Sequence, residues 1–166
     1  MISIGSLWKH NGWHIAAVNR LLQILSPKKP KTVDFHGLSD CFANPHFKIY
    51  TAEDGLASRP NRVVGMATLF FQRIPSGWIA EIHDVARDEN YHGQGIGEKL
   101  LTAMLNDVRA HAKKYQSPVK LSLTSRPARE PANDLYLKMG FRIVAQAVGK
   151  DGTNLYRMDI YPTTTP

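Results

Sequence analysis

The stretch Asp84-Val85-Ala86-Arg87-Asp88-Glu89-Asn90-Tyr91-His92-Gly93-Gln94-Gly95-Ile96-Gly97-Glu98 decides how this chain is read. Trp78 to Arg87 before it has the pattern of a strand. After it, Ile96, Leu100, Leu101, Met104, Leu105, Val108 and Ala112 recur at helical spacing, which predicts an amphipathic helix from Gly95 to about Tyr115. Between the two lies a short loop whose alternate residues 93, 95 and 97 are glycines. A helix N-terminus presents amides without intrahelical partners and positive dipole character. Glycines leave room for a phosphate to approach those amides. The segment therefore points to a phosphate-bearing ligand. The alternative, a glycine-rich connector that lets strand and helix pack tightly, is equally compatible with the loop alone. The dinucleotide fingerprint fails, because position 98 is Glu, and no Gly-Lys-Ser/Thr triplet supplies a P-loop.

Working outward, Ile15, Val18, Leu22 and Leu25 predict a helix over His14–Leu25, and a weaker one lies near Val33–Phe42. Strands are expected over His46–Ala52 and Arg62–Gln72. The turn Ile74-Pro75-Ser76-Gly77 makes the latter a hairpin with Trp78–Arg87. Ser117-Pro118 stops the long helix, with Arg109, Lys113 and Lys114 towards its negative end. Then come a strand at Val119–Thr124, a short helix at Glu130–Met139 closed by Gly140, and strands at Phe141–Val148 and Asn154–Ile160. A further strand fits Ile2–Trp8. The order, (β)ααβββαβαββ, predicts an α/β fold with a central mixed sheet and helices on both faces. We expect a single domain over residues 1–162 and a frayed tail over 163–166.

The run Pro131-Ala132-Asn133-Asp134-Leu135-Tyr136-Leu137-Lys138-Met139-Gly140-Phe141 adds a second signal. On a helix, Ala132, Leu135, Tyr136 and Met139 share one face. Leu135, Met139 and Phe141 read as core. Tyr136, with its polar tip, fits either core or catalyst. Together the two segments resemble the acetyl-CoA signature of the GNAT superfamily of N-acetyltransferases. Its pattern Gln/Arg-x-x-Gly-x-Gly/Ala is matched by His92 through Gly97, and its pattern Asn-x-x-Ala-x-x-Leu-Tyr-x-x-x-Gly-Phe by Arg129 through Phe141. Two positions depart from it. His92 stands for Gln or Arg, with a ring whose charge depends on pH. Arg129 stands for an Asn that typically contacts the cofactor arm.

The resemblance implies splayed strands at the cofactor site, with the amides of Gln94, Gly95, Ile96 and Gly97 on the pyrophosphate of acetyl-CoA. The Val85 and Arg87 backbones would bond the pantetheine arm, and the Val85 amide would polarise the thioester carbonyl. Tyr136 would protonate the leaving thiolate. The full cofactor-binding set it implies is Val85, Ala86, Arg87, His92, Gly93, Gln94, Gly95, Ile96, Gly97, Glu98, Arg129, Asn133, Tyr136 and Lys138. The reaction implied is transfer of the acetyl group to a primary amine of a small molecule by direct attack. A protein N-terminus or lysine as acceptor, and a CoA-binding module without turnover, are the alternatives. Dimers are common in the superfamily, so a homodimer is compatible with the resemblance.

An amine acceptor is mostly protonated at neutral pH, with a lysine-type pKa of about 10.4, so transfer requires a proton acceptor. Strand alternation places Glu81, His83 and Val85 on one face and Ile82, Asp84 and Ala86 on the other. Glu81 matches the position of a catalytic glutamate in some superfamily members and is the first candidate base. Asp84, beside the polarising amide, is the second, and His83 follows. A structural hydrogen-bond acceptor is the alternative for each carboxylate.

Composition narrows the rest. The chain has 166 residues, 43% hydrophobic and 21% charged, enough for a core without staples. Cys41, the sole cysteine, sits among Leu38, Phe35 and Phe42 and reads as a small buried hydrophobe. The histidines lack ligand spacing, so no metal is expected. Lys9, His10, His14 and Arg20 interrupt the apolar stretches near the N-terminus, arguing against a secretory leader and for a cytoplasmic protein. No apolar run reaches membrane-spanning length. The formal charge of +7 is scattered, without a basic stripe interleaved with aromatics. Neither nucleic acid nor a membrane is the expected partner, whereas a polyphosphate ligand would welcome that charge.

Overall fold

A computed structural model describes residues 1–7, 12–29, 31–58, 61–148 and 152–163. Trp8, expected to end the first strand, and residues 164–166 of the expected tail lie outside them. The elements are β1 (Ile2–Leu7), α1 (Gly12–Leu25), α2 (Phe35–Ala43), β2 (Phe47–Asp54), β3 (Val63–Ile74), β4 (Gly77–Arg87), a 3-10 turn (Glu89–Tyr91), α3 (Ile96–Tyr115), β5 (Val119–Ser125), α4 (Glu130–Lys138), β6 (Arg142–Val148) and β7 (Thr153–Ile160). The expected succession holds, with boundaries moved by one or two residues. The strands form one seven-stranded sheet in the order β1-β2-β3-β4-β5-β7-β6. It is mixed: β4 and β5 run parallel, while β1–β2, β5–β7 and β6–β7 are antiparallel. A parallel pair needs a long crossover, which α3 supplies.

The chain divides into two compact units, Met1–Leu69 with Asp84–Leu100, and Phe70–His83 with Leu101–Pro166. In the first unit, Ala17, Val18 and Leu21 of α1 pack with Val63 and Met66 of β3 and Ala86 of β4. Asn19 of α1 donates to the Val33 carbonyl and accepts from its amide, at 2.9 and 2.7 Å, which ties down the segment leading into α2. Asp34 caps α2 by accepting from the Gly37 amide at 2.8 Å. Cys41 is half-buried, more open than a core hydrophobe, and its thiol pKa is raised by burial and by the charges of Asp40 and Asp84.

In the second unit, Val119, Leu121, Leu123 and Ser125 of β5 are buried on one face. Lys120 and Thr124 on the other are exposed. Tyr136 of α4 meets Phe141 edge-on at 6.2 Å and Tyr156 of β7 at 5.5 Å. His111 of α3 stacks on Phe71 at 4.1 Å and meets Trp78 edge-on at 4.4 Å. Phe71, Trp78 and Tyr156 are thus core residues. α4 stops at Met139, and Gly140 follows in the left-handed conformation, φ +96°. No described helix is long and apolar enough to cross a membrane.

Candidate functional site: a glycine cradle at the start of a helix

Asp88 begins the loop. Its carboxylate accepts from the amide of Asn90 at 3.0 Å, capping the 3-10 turn, and its own amide donates to the Val64 carbonyl at 2.8 Å. Arg20, reaching from α1, pairs with the other Asp88 oxygen and donates to the Val63 carbonyl at 2.6 Å. Tyr91 donates its hydroxyl to Asp54 of β2 at 2.9 Å. Asp54 also accepts from the Leu56 amide at 3.0 Å; this bond first, and the Tyr91 bond second, hold its carboxyl below the usual range. The same Asp54 contact raises the Tyr91 phenol. Three separate elements therefore fasten the approach to the glycines.

Gly93 and Gly95 are both left-handed, with φ +77° and +68°. A β-carbon at either would meet nothing within 4 Å, so the space beside each is open. Residues 92–95 are exposed, and Ile96 is buried. The first helical bond of α3 runs from the Lys99 amide to the Gly95 carbonyl at 2.9 Å. The amides of Ile96, Gly97 and Glu98 therefore precede the helical ladder. Beneath them, Gly65 of β3 lets the strand approach: a β-carbon there would come within 2.6 Å of Ile96 Cγ2 and 3.4 Å of the Ala86 carbonyl oxygen. Sequence reasoning alone does not single out Gly65. An isolated glycine inside an apolar strand was the available signal. The open space and the amide cluster fit a pyrophosphate without obstruction.

β4 changes character at its middle. Its parallel ladder with β5 runs from Trp78↔Val119 to Ile82↔Leu123. β4 itself continues to Arg87. Asp84 takes φ +52°, a left-handed conformation rare outside glycine but tolerated by Asp. The period-two alternation thus holds through His83 and is interrupted just before Val85. Ala86 is buried; Val85 and Arg87 are half-buried. Before the interruption, His83 Nε2 lies 3.0 Å from Glu81 Oε2. Both side chains are about half-exposed, at 55% and 44%.

Tyr136 is only 5% exposed. Burial first, then the Tyr156 phenol, push its pKa up to about 12, against a lowering by Arg129. The hydroxyl is therefore protonated throughout the neutral range. Asn133 spends its amide nitrogen on the carbonyls of Arg126 and Pro127, at 3.1 and 3.0 Å, and so fixes the turn into α4. Arg129 caps α4 without a side-chain bond to it, and Lys138 is exposed. Among the described residues no group of His, Cys, Asp and Glu is arranged to hold a metal ion.

The model of the Acetyltransferase (GNAT) family matches residues 18–141, three quarters of the chain, and the chain belongs to this family. It is accordingly an acyltransferase that uses acetyl-CoA. No curated protein matches the sequence. Solved structures do match over nearly the whole chain. The structure of the NatC complex bound to Gag peptide and CoA aligns with a TM-score of 0.73 at 17% identity, covering 98% of this chain and 99% of that one. An aminoglycoside acetyltransferase from an uncultured soil metagenomic sample, in complex with trehalose, gives 0.69 at 23%, covering 89% and 93%. The ribosomal-protein-S18-alanine N-acetyltransferase from Escherichia coli gives 0.67 at 18%, covering 99% and 97%. At these identities the likeness establishes the fold, and the acceptors in these names differ in kind.

Proposed function

We propose that the chain transfers the acetyl group of acetyl-CoA to a primary amine of a small molecule by direct attack, residues 1–162 acting as one domain. The observation that carries this reading is the open cradle of left-handed Gly93 and Gly95 ahead of the first amides of α3. The amides of Gln94 to Gly97 hold the pyrophosphate, with His92, Gly93 and Glu98 at its margin. The strand segment Val85-Ala86-Arg87, beyond the last β5 pair, offers its backbone to the pantetheine arm. Left-handed Asp84 re-aims the peptide group that carries the Val85 amide, which polarises the thioester carbonyl. Arg129, Asn133 and Lys138 complete the cofactor contacts on and before α4.

The amine nitrogen attacks the carbonyl carbon, forming the C–N bond as the C–S bond breaks. Glu81, hydrogen-bonded to His83, takes the amine proton, and Asp84 is the second candidate for that role. The Tyr136 hydroxyl donates to the departing sulfur. With a pKa near 12 it is a weak acid at rest, so its proton moves only as negative charge develops on sulfur. A peptide N-terminus or lysine as acceptor is the second reading, which the fold-level likeness to the peptide-bound NatC complex favours. Release of free thiol from acetyl-CoA across a panel of small amines and short peptides tests both. We expect turnover with small amines. Turnover confined to peptides would overturn the choice of acceptor.

A further inference from the structure

We propose that Arg157 receives an anionic group of the acceptor, so that the preferred substrate is an amine that also carries a carboxylate; this rests on the acetyltransferase reading above. Register places Glu81 of β4 beside Ser122 of β5, Ser122 opposite Arg157 of β7, and Arg157 opposite Arg142 of β6. Directly paired residues project from the same face of a sheet. The four therefore form one cross-strand row. It lies on the polar face of β5, away from buried Leu121 and Leu123.

Most of the charges around this row are matched. Glu81 contacts His83 at 3.0 Å. Arg142 pairs with Asp159. Lys120, next along the face, is exposed and solvated. Arg157 is half-buried, and its side chain makes no ion pair or hydrogen bond with any described residue. It also stands directly opposite a second guanidinium, an unfavourable placement for like charges. A partly desolvated cation without a counter-charge is costly, and a bound anion relieves that cost. The planar guanidinium matches a carboxylate in a bidentate fork, and the Ser122 hydroxyl beside it offers one more donor. With Arg142 committed to Asp159, one available guanidinium suits a monoanionic carboxylate better than a dianionic phosphate.

The spacing sets the size of the ligand. Glu81 and Arg157 are two strands apart, about 10 Å between backbones, and both side chains are long enough to shorten that gap. An ammonium drawn to Glu81 and a carboxylate drawn to Arg157 describe a short amino acid whose two groups are several bonds apart. Neither end requires a peptide.

The test compares kcat/KM for matched acceptors: β-alanine against ethylamine, γ-aminobutyrate against propylamine, lysine against cadaverine, with aminopropylphosphonate as the dianionic counterpart. Charge-assisted hydrogen bonds of about 1.5–3 kcal/mol correspond to a preference of roughly 10- to 150-fold for the carboxylate-bearing member of at least one pair. Arg157→Gln should bring that ratio close to one, Arg157→Lys should restore part of it, and Arg142→Gln should retain it. A wild-type ratio near one, or a ratio unchanged in Arg157→Gln, overturns the proposal. A stronger preference for the phosphonate overturns the carboxylate assignment. Acetyl-CoA titrations on every variant keep the two readings apart. Intact acetyl-CoA binding with no carboxylate preference removes only the anion receptor, whereas no acetyl-CoA binding by the wild type removes the acetyltransferase reading beneath it.

Discussion

The glycine cradle before α3 and the polar sheet face bearing Glu81 and Arg157 are built from different materials. The cradle is backbone. Its donors are amides, its shape comes from left-handed Gly93 and Gly95, and the side chains involved, Arg20, Asp54, Asp88 and Tyr91, brace it from behind. The sheet face is side chains on a regular ladder, where the backbone sets only spacing and register. In the proposed reading, a backbone cradle recognises what every acetyl-CoA has, a pyrophosphate, and depends on the left-handed conformation of its glycines. A face of side chains can be rewritten one residue at a time without disturbing the strands. On the proposed reading, that difference lets one fold keep its co-substrate while its acceptor changes.

Tyr136 sits in the core yet is assigned chemistry, and it should give the largest effect. Tyr136→Phe should keep acetyl-CoA affinity and lower kcat by roughly 10²–10⁴-fold, the usual range for a positioned proton donor. The phenol must be protonated to act, and its pKa is raised to about 12. Its contribution is therefore complete at neutral pH and is lost only as pH rises towards 12. A kcat profile measured up to pH ~10 should show no descending limb from this group. Unchanged kcat in the variant, with chemistry rate-limiting, returns Tyr136 to a packing role.

On the side-chain region, Glu81→Gln should slow kcat/KM at neutral pH by about 100-fold or less, and the loss should shrink as pH approaches the amine's own value of about 10.4. At high pH the acceptor arrives deprotonated, so a missing base matters less. Parallel profiles for Glu81→Gln and wild type would remove the assignment, and a pH-selective loss confined to Asp84→Asn would transfer it there.

The smallest expected effect lies in the backbone cradle. Gly65→Val should cost about 1–3 kcal/mol of stability, typical of overpacking. The added carbon meets Ile96 and the Ala86 carbonyl, fixed parts of the cradle's floor, rather than a flexible tip. Acetyl-CoA affinity should weaken with it. A variant as stable and as tight as wild type would show that the floor yields, contrary to a preformed cradle.

The sequence made the regular parts of this molecule legible and missed its exceptions. Helical periodicity located α3 within one residue, and Gly140 marked the end of α4, because burial and left-handed geometry leave direct traces in residue type. Alternation ordered Glu81 and His83 on one face, but could not foresee the left-handed turn at Asp84, since an aspartate in a strand carries no sign of its φ. Gly65 looked like one more small residue in an apolar run until the position of Ile96 gave it a reason. The bracing of the loop by Arg20 and Asp54 joins residues 68 and 37 positions apart, respectively, from their partners, beyond what local patterns encode. Arg157 stood out only when register aligned it with Glu81 and the surrounding charges proved already paired.

The proposed function stands or falls with the Gly93–Gly97 loop as the seat of the acetyl-CoA pyrophosphate. The most direct measurement is isothermal titration of acetyl-CoA into the wild type and into folded Gly95→Val and Gly97→Glu variants. We expect saturable binding by the wild type and none by either variant, because a branched side chain fills the open cradle and strains a left-handed residue, and a carboxylate repels the phosphates. Wild-type affinity retained in either folded variant would contradict it.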